Sequence, residues 1–275
     1  MQQVALVRGG GDLGTGIAHA LHQGGWRVVV VDRPLPSALR LTVAFAAAAV
    51  APDGRVIVQG VEATRCDAPA DVRAAWGRRE VALWTGAEAD LRLRPDLLVD
   101  ARMRALTEPS TRLDEAPRVV GIGPGFRAGV DAHAVIESNR GPRLGRVITE
   151  GAAEPHTGVP GAVAGYRRER LIVAPCAGTF RRSRDLGDPV EAGDVVGQVQ
   201  GEAGEQPVRA GLSGMIRGLK LSGVWVGAGH KVGDVDPRRD PALLLEMTDK
   251  ARAVGRGVLE AVALLAPDER RARCT

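Results

Sequence analysis

Near the start of the chain the stretch RGGGDLGTG places Gly9, Gly11 and Gly14 at the G-x-G-x-x-G spacing of a dinucleotide-binding turn. Glycines after a strand let the backbone approach a ligand closely, and the N-terminus of the following helix offers unpaired N–H groups and partial positive charge to an anion. Asp32 closes the next β-like run, 23 residues after Gly9, where a carboxylate can accept ribose hydroxyls. Arg8, Gly9, Gly10, Gly11, Leu13 and Asp32 are therefore the first candidate cofactor-binding residues, with a nucleotide of the NAD type as the expected ligand. Asp12 sits in the same loop and satisfies the same N–H groups and dipole that a pyrophosphate would use. It reads as a plain N-cap, as a metal ligand bridging to a phosphate, or as an acceptor for a donor group on the ligand. Arg8 could return positive charge either to the ligand or to Asp12.

Further polar groups recur at strand ends. In VVGIGPGFRAG a second glycine turn puts Gly123, Gly125 and Phe126 on the side where open α/β sheets bind ligands, although a tight structural turn accounts equally well for the glycines. In VDAHAVIES the strand period places Asp131, His133 and Glu137 on one face. An Asp-x-His pair can shuttle a proton or hold a metal, because histidine titrates near neutrality and a carboxylate can orient it; a hydrogen-bonded structural pair is the plainer alternative. Asp131 and His133 are the candidate catalytic residues, with Asp12 and Asp131 the candidate ligands of an unknown metal. Asp100 and Arg102 close LLVDAR as an internal ion pair or as part of a pocket, and Glu137, Asn139 and Arg140 add polar groups near the next turn.

These residues need a scaffold, and the pattern predicts one. VALV, the helical spacing of GIAHALHQGG and the β-branched run RVVVVD read as a β-α-β unit opening a parallel sheet. SALRLTVAFAAAAV reads as helix, RVIVQG as strand, DVRAAWGRR as a short helix, and EVALW and DLLVDAR as strands. This alternation predicts an α/β, Rossmann-like doubly wound domain over residues 1–170. A Gly/Pro-rich stretch, EPHTGVPGAVAGYRR, marks the boundary.

From residue 171 the texture is β throughout and repetitive. Residues 174–199 align without gaps on 210–235, an offset of 36, with ten identities that include Gly178/Gly214, Arg181/Arg217 and Val196/Val232. Two such halves resemble the biotinyl/lipoyl carrier fold, an all-β barrel-sandwich hybrid, which is the expectation for residues 171–275 together with a C-terminal helix. The segment joining the halves, QGEAGEQPVR, has no lysine, so neither biotin nor lipoate is expected there. The helix is read from Val254, Val258, Leu259, Val262 and Leu265 on one stripe, with Thr248 or Asp249 as its cap.

The bulk numbers exclude several classes. The chain has 275 residues, 44% hydrophobic and 25% charged, and no apolar run of membrane-spanning length. Its net charge of +4 arises from 37 basic and 33 acidic residues in mixed neighbourhoods, and only 3% are aromatic, which argues against nucleic-acid partners. Cys66, Cys176 and Cys274 form no C-x-x-C pair, so neither a disulfide framework nor a cysteine zinc site is indicated. Cys176 aligns with Leu212 in the repeat and reads as a small buried hydrophobe, with a thiol relay as the alternative. Without a leader pattern at MQQVALVRGGG the expected compartment is the cytoplasm.

Taken together, the glycine loop, DLLVDARM, the block GIGPGFRAGVDAHAVIESNRGPRLGRVITEG and the APCAGTF and TDKARAVGRGVLEAV regions resemble the accessory protein of the selenium-dependent molybdenum hydroxylase system over nearly the whole chain. The first domain is also similar in fold to part of the xanthine dehydrogenase accessory proteins. The resemblance implies a maturation role, with a nucleotide-like ligand or a molybdopterin dinucleotide as cofactor and a molybdenum hydroxylase or its maturation factors as partner. A homo-oligomer is compatible with it. An NAD(P)-dependent oxidoreductase using His133 or Asp131 as acid/base, and a non-catalytic scaffold, are the alternatives, so whether a reaction is catalysed stays open.

Overall fold

The computed structural model describes residues 2–103, 111–156, 158, 160 and 161–266. Cys274 lies outside them.

Nineteen strands and four α-helices are described. The first eleven strands are β1 (Val4–Arg8), β2 (Arg27–Val31), β3 (Arg55–Val58), β4 (Val61–Cys66), β5 (Val81–Trp84), β6 (Leu97–Asp100), β7 (Val119–Ile122), β8 (Arg127–Ala128), β9 (Ala134–Ile136), β10 (Val147–Ile148) and β11 (Gly151–Ala152). Nine of them form one mixed sheet in the order β10-β9-β7-β6-β1-β2-β5-β4-β3, while β8 and β11 pair separately. The strands from β4 to β9 pair in parallel, whereas the β3–β4 hairpin and the β10 edge are antiparallel. Strand alternation sorts the side chains: Val7, Val28, Val30 and Val99 enter one core, and Leu6, Val29 and Leu98 enter another on the opposite face.

Helix α1 (Asp12–Gln23) covers the first face and α2 (Pro69–Gly77) the second, through Val72 and Ala75. After α3 (Ala242–Leu245), helix α4 (Asp249–Leu264) returns from the end of the chain to lie beside α1, burying Val254, Val258 and Ala261 in the same core as Ile17 and Leu21. Thr248 caps α4 by accepting the Ala251 N–H at 3.0 Å. The two helices touch backbone to backbone. A Cβ on Gly16 would lie 2.5 Å from the Ala251 carbonyl oxygen, and one on Gly255 would lie 2.6 Å from that of Gly16.

The remaining strands are β12 (Leu171–Val173), β13 (Gly178–Arg182), β14 (Pro189–Val190), β15 (Val195–Gly201), β16 (Gly204–Arg209), β17 (Gly214–Leu219), β18 (Trp225–Val226) and β19 (Lys231–Asp236). They make two four-stranded antiparallel sheets, β12-β19-β17-β14 and β16-β15-β13-β18, closing on a core around Phe180, Ile216 and Leu219. Strands 36 residues apart occupy equivalent positions, and each half lends one strand to the other's sheet: β14 pairs with β17, and β18 with β13.

The expected Rossmann-like doubly wound domain followed by a barrel-sandwich hybrid with a terminal helix is corrected by this topology. The large sheet is mixed. Among the described residues only α1 and α2 are α-helical connections within it, because β5–β6 and β6–β7 are joined through 3-10 turns at Glu88–Leu91 and Leu113–Glu115. The helix that completes its first face comes from beyond the second region. SALRLTVAFAAAAV likewise departs from a helix and forms two 3-10 segments, Leu41–Val43 and Phe45–Ala49. Its backbone is held elsewhere: the Ala46 N–H donates to Gly10 O at 3.0 Å and the Phe45 N–H to Thr15 Oγ1 at 2.9 Å. No helix among the described residues is long and apolar enough to cross a membrane.

The close helix contact generates a paired prediction. Gly16→Ala should cost about 1–3 kcal/mol of stability through overpacking. Gly77→Ala, at the end of α2 with nothing within 4 Å of the added methyl, should gain about 0.5–1 kcal/mol. Urea unfolding of both variants checks the contrast, which equal shifts would contradict.

Candidate functional site

The strand order reverses at β1, which has β2 on one side and β6 on the other. In open sheets with parallel strands such a switch point leaves a crevice beyond the carboxyl ends of the strands. A cavity of about 340 Å³ lies there, lined by Gly9 and Gly11 after β1, Asp32 and Arg33 after β2, and Ala101 and Arg102 after β6.

Two of the motif glycines answer to packing. Gly9 holds φ at +97°, and a Cβ on Gly14 would fall 1.7 Å from the Gly9 carbonyl oxygen. Gly11 answers to no such neighbour: its Cβ would meet only Ala38 Cβ at 3.7 Å, and it opens on the cavity. It is also the N-cap of α1, with no side-chain capping bond. Gly10 is buried under Ala46, and its N–H donates to Asp32 Oδ2 at 2.6 Å. Asp32 Oδ1 accepts the Arg33 N–H at 2.7 Å. Each oxygen keeps a second lone pair for a hydroxyl.

Asp12 does not cap the helix. It is the first helical residue, and its carboxylate turns away to accept from Arg40 Nη1 at 3.2 Å and Thr248 Oγ1 at 3.1 Å. The expected competition between Asp12 and an anion is thereby weakened, because Arg40 compensates the carboxylate. Leu13 packs against the first core.

Arg8 is not available to a ligand as expected. Its guanidinium is held by Glu88 at 2.8 and 2.6 Å, by Glu115 at 2.5 Å and by Thr111 at 2.8 Å. Burial alone would lower its pKa, but the hydrogen bonds and charges of Glu88 and Glu115 win and keep it firmly protonated. Burial likewise pushes the Glu115 carboxyl upward, and the bond from Arg8 outweighs it, leaving Glu115 below the ordinary carboxylate range. Asp100 is the internal member of a second pair: burial opposes its charge most strongly, yet Arg102 and Thr111 together hold its pKa below the usual value.

The remaining sequence candidates lie elsewhere. His133 Nδ1 accepts the Val119 N–H at 3.0 Å and Asp131 Oδ2 accepts the Arg127 N–H at 2.8 Å, so the expected catalytic pair is two separate backbone anchors. This arrangement gives no support to the oxidoreductase alternative. Phe126 folds back over Gly121, where a Cβ would lie 2.3 Å from the ring, and the Gly123–Gly125 turn serves that packing. Buried Glu137 accepts the N–H groups of Asn139 at 2.7 Å and Glu154 at 2.8 Å, and Asn139 Nδ2 donates to Pro155 O at 2.9 Å. Arg140 pairs with Asp249 at 2.7 Å, bordering a different crevice. Among the described residues no three His, Cys, Asp or Glu side chains gather as a metal site, so Asp12 and Asp131 stand apart as ligands. Buried Cys66 has its thiol pushed up to about 12, first by burial and then by Asp71, and Cys176 packs toward Gly201.

Sequence reasoning missed Arg33, Ser37, Ala38, Glu88 and Ala101 on the crevice lining. Arg33 was within reach, as the residue following Asp32 at a strand end. Nothing local marks Glu88, which a separate 3-10 turn delivers.

No family model matches the chain. The uncharacterized protein YqeB of Escherichia coli (strain K12) is 42% identical over 265 residues, covering 96% of this chain and 48% of that protein. The chain thus spans about half the length of the curated relative it matches. Among solved structures, an aspartoacylase family protein from Mesorhizobium loti is 13% identical, with 86% of this chain and 85% of that one covered and a TM-score of 0.27. The apo ectoine utilization protein EutE (DoeB) from Ruegeria pomeroyi is 14% identical over 85% of this chain and 86% of that one, at a TM-score of 0.28. These scores are too low to assign a fold or a reaction to this chain.

The expected membership of the molybdenum hydroxylase accessory family is corrected by the same findings. No family model matches the chain, and the curated relative it matches is described as uncharacterized. The maturation role, which depended on that resemblance, falls with it, and the scaffold alternative, which kept a Rossmann geometry, goes with the corrected fold.

The Arg8 cluster makes a testable statement about acid stability. Glu115 is depressed in the fold, so its contribution is complete above the unfolded pKa of about 4.3 and is lost as pH falls through the lower folded value. Arg8→Met should cost about 2–3 kcal/mol at pH 7, less than a fully buried pair because Glu88 stays partly exposed. The gap between the two proteins should narrow toward pH 3. Urea unfolding across that range measures it, and a gap independent of pH would contradict the assignment.

Proposed function

We propose that this protein binds a nucleotide in the crevice at the β1/β2/β6 switch point. The observation that carries the reading is Gly11: it is free of packing duties, caps α1 without a side chain and opens on the cavity opposite the half-buried carboxylate of Asp32. A phosphate would meet the first-turn N–H groups of α1, with Arg33 supplying the charge that Arg8 has spent. Asp32 would accept ribose hydroxyls while keeping its bonds to the Gly10 and Arg33 N–H groups. The volume of about 340 Å³ is at the low end of the roughly 300–1,000 Å³ typical of small-molecule sites. It suits one nucleoside phosphate unit better than the two of a dinucleotide.

Titration calorimetry with AMP, ATP and NAD tests this. Saturable binding is expected, weakened about tenfold, or about 1.4 kcal/mol, in Asp32→Asn, whose amide oxygen can still hold the Gly10 N–H. The 2′-deoxy analogue of the best ligand should show a similar loss. Absence of saturable binding to all three nucleotides, or unchanged affinity in Asp32→Asn, would overturn the reading.

A further inference from the structure

A second crevice shares no lining residue with the first. It runs between Asn139, Arg140 and the residues about Gly161, the second pair of sheets and the start of α4, as two adjoining cavities of about 420 and 730 Å³ that meet at Arg140 and Gly161. Cationic side chains outnumber carboxylates seven to two along the combined lining. Asp234 and Asp236, buried beneath it, do not restore the balance.

The inner wall holds the unusual groups. Arg170 lines the cavity with a side chain only 7% exposed, yet its Nε and Nη1 have no hydrogen-bond partner. Its closest carboxylate oxygen, on Asp234, is 3.7 Å from Nη1, and the same oxygen is shared with Lys231 at 3.4 Å. Arg217 is similar: its Nε is buried and unpartnered, 3.9 Å from Asp236. Asp236 is already gripped by Arg238 through bonds of 2.9 and 2.7 Å. Two donors of the buried Arg170 guanidinium fork and the Nε of the mostly buried Arg217 are therefore withdrawn from water with no acceptor to meet them.

Such a fork is met best by a carboxylate or phosphate bound through two oxygens. Toward the open side stand Arg140, engaged by Asp249, and half-buried Lys250, whose ammonium is disfavoured first by burial and then by the neighbouring charge of Arg140. Arg170 and Arg217 line the smaller cavity and Lys250 the larger one that joins it at Arg140, so the cations border one connected crevice whose charge suits a dianion better than a single carboxylate.

We propose that this crevice is a binding site for a phosphoryl dianion, carried by a small phosphorylated molecule or present as inorganic phosphate. Arg170 and Arg217 form its inner donors and Lys250 its outer cation.

Inorganic phosphate and a sugar phosphate, glucose 6-phosphate, serve as probes on the full chain, with sodium chloride at matched ionic strength as reference. Phosphate should raise Tm above the chloride reference, since a ligand that binds only the folded state stabilises it. Arg217→Lys keeps the charge but loses the fork, and Lys250→Gln alters an outer, half-buried position. Each should weaken phosphate binding about tenfold by calorimetry, with unchanged circular dichroism. Asp32→Asn, at the other crevice, should leave it unaltered. Tighter binding of glucose 6-phosphate than of phosphate identifies an ester as the ligand, and the reverse identifies the free anion. A Tm no higher than in chloride, or phosphate affinity unmoved in both Arg217→Lys and Lys250→Gln, would overturn the proposal. So would a loss in Asp32→Asn equal to theirs.

Discussion

The carboxylate of Asp12 is held between Arg40 and Thr248, and these two contacts join three stretches distant in the chain. Asp12 opens α1, Thr248 caps α4, and Arg40 Nη2 donates to the carbonyls of Leu243 and Glu246. The glycine loop, the returning helix and the junction leading into it are thus tied at one point. At Gly16 and Gly255 the backbones of α1 and α4 approach too closely for a Cβ, so the tie at Asp12 lies beside a tightly packed helix pair. Further contacts follow the same seam: the Leu219 N–H donates to Leu39 O, and Lys220 Nζ to Ser37 O, so the second pair of sheets is docked where the 33–44 segment passes the glycine loop.

Two pairs of arginines are treated differently. Arg8 and Arg102 are matched to carboxylates with short, multiple bonds, and Thr111 joins both clusters. Their charges are spent on holding β1, β6 and the following turns together, and the carboxylates respond with depressed pKa values. Arg170, which is buried, and Arg217, which is mostly so, lack such matching, with nearest carboxylate oxygens beyond hydrogen-bond length. Structural arginines and arginines held ready for an anion are separated by this difference in geometry and not by their sequence context.

Much of the local structure was legible in the chain. The β-branched run RVVVV became β2 because a strand buried on both faces needs no alternation of polar residues. The stripe Val254, Val258, Leu259, Val262 and Leu265 all face the first core, as their helical spacing required. The apolar run at 41–49 misled, since composition alone favours a helix there while the fold recruits its N–H groups to Gly10 and Thr15. The doubly wound reading erred for a related reason: strand and helix alternation does not disclose which connections will be 3-10 turns, nor that a helix from the far end of the chain supplies the missing cover.

For the site, the residue types and spacing determined that a glycine turn would follow a strand and open a helix, with a carboxylate ending the next strand. Those are consequences of local sterics and hydrogen bonding. Tertiary structure alone decided that Arg8 would be consumed by Glu88 and Glu115, that Asp12 would turn toward Arg40 and Thr248, and that His133 and Asp131 would each serve a backbone N–H. Those outcomes depend on partners between 4 and 236 positions away, whose approach is set by packing of the whole core. A side chain's charge is written in the sequence, but whether it is spent or left for a ligand is a property of what the fold brings beside it.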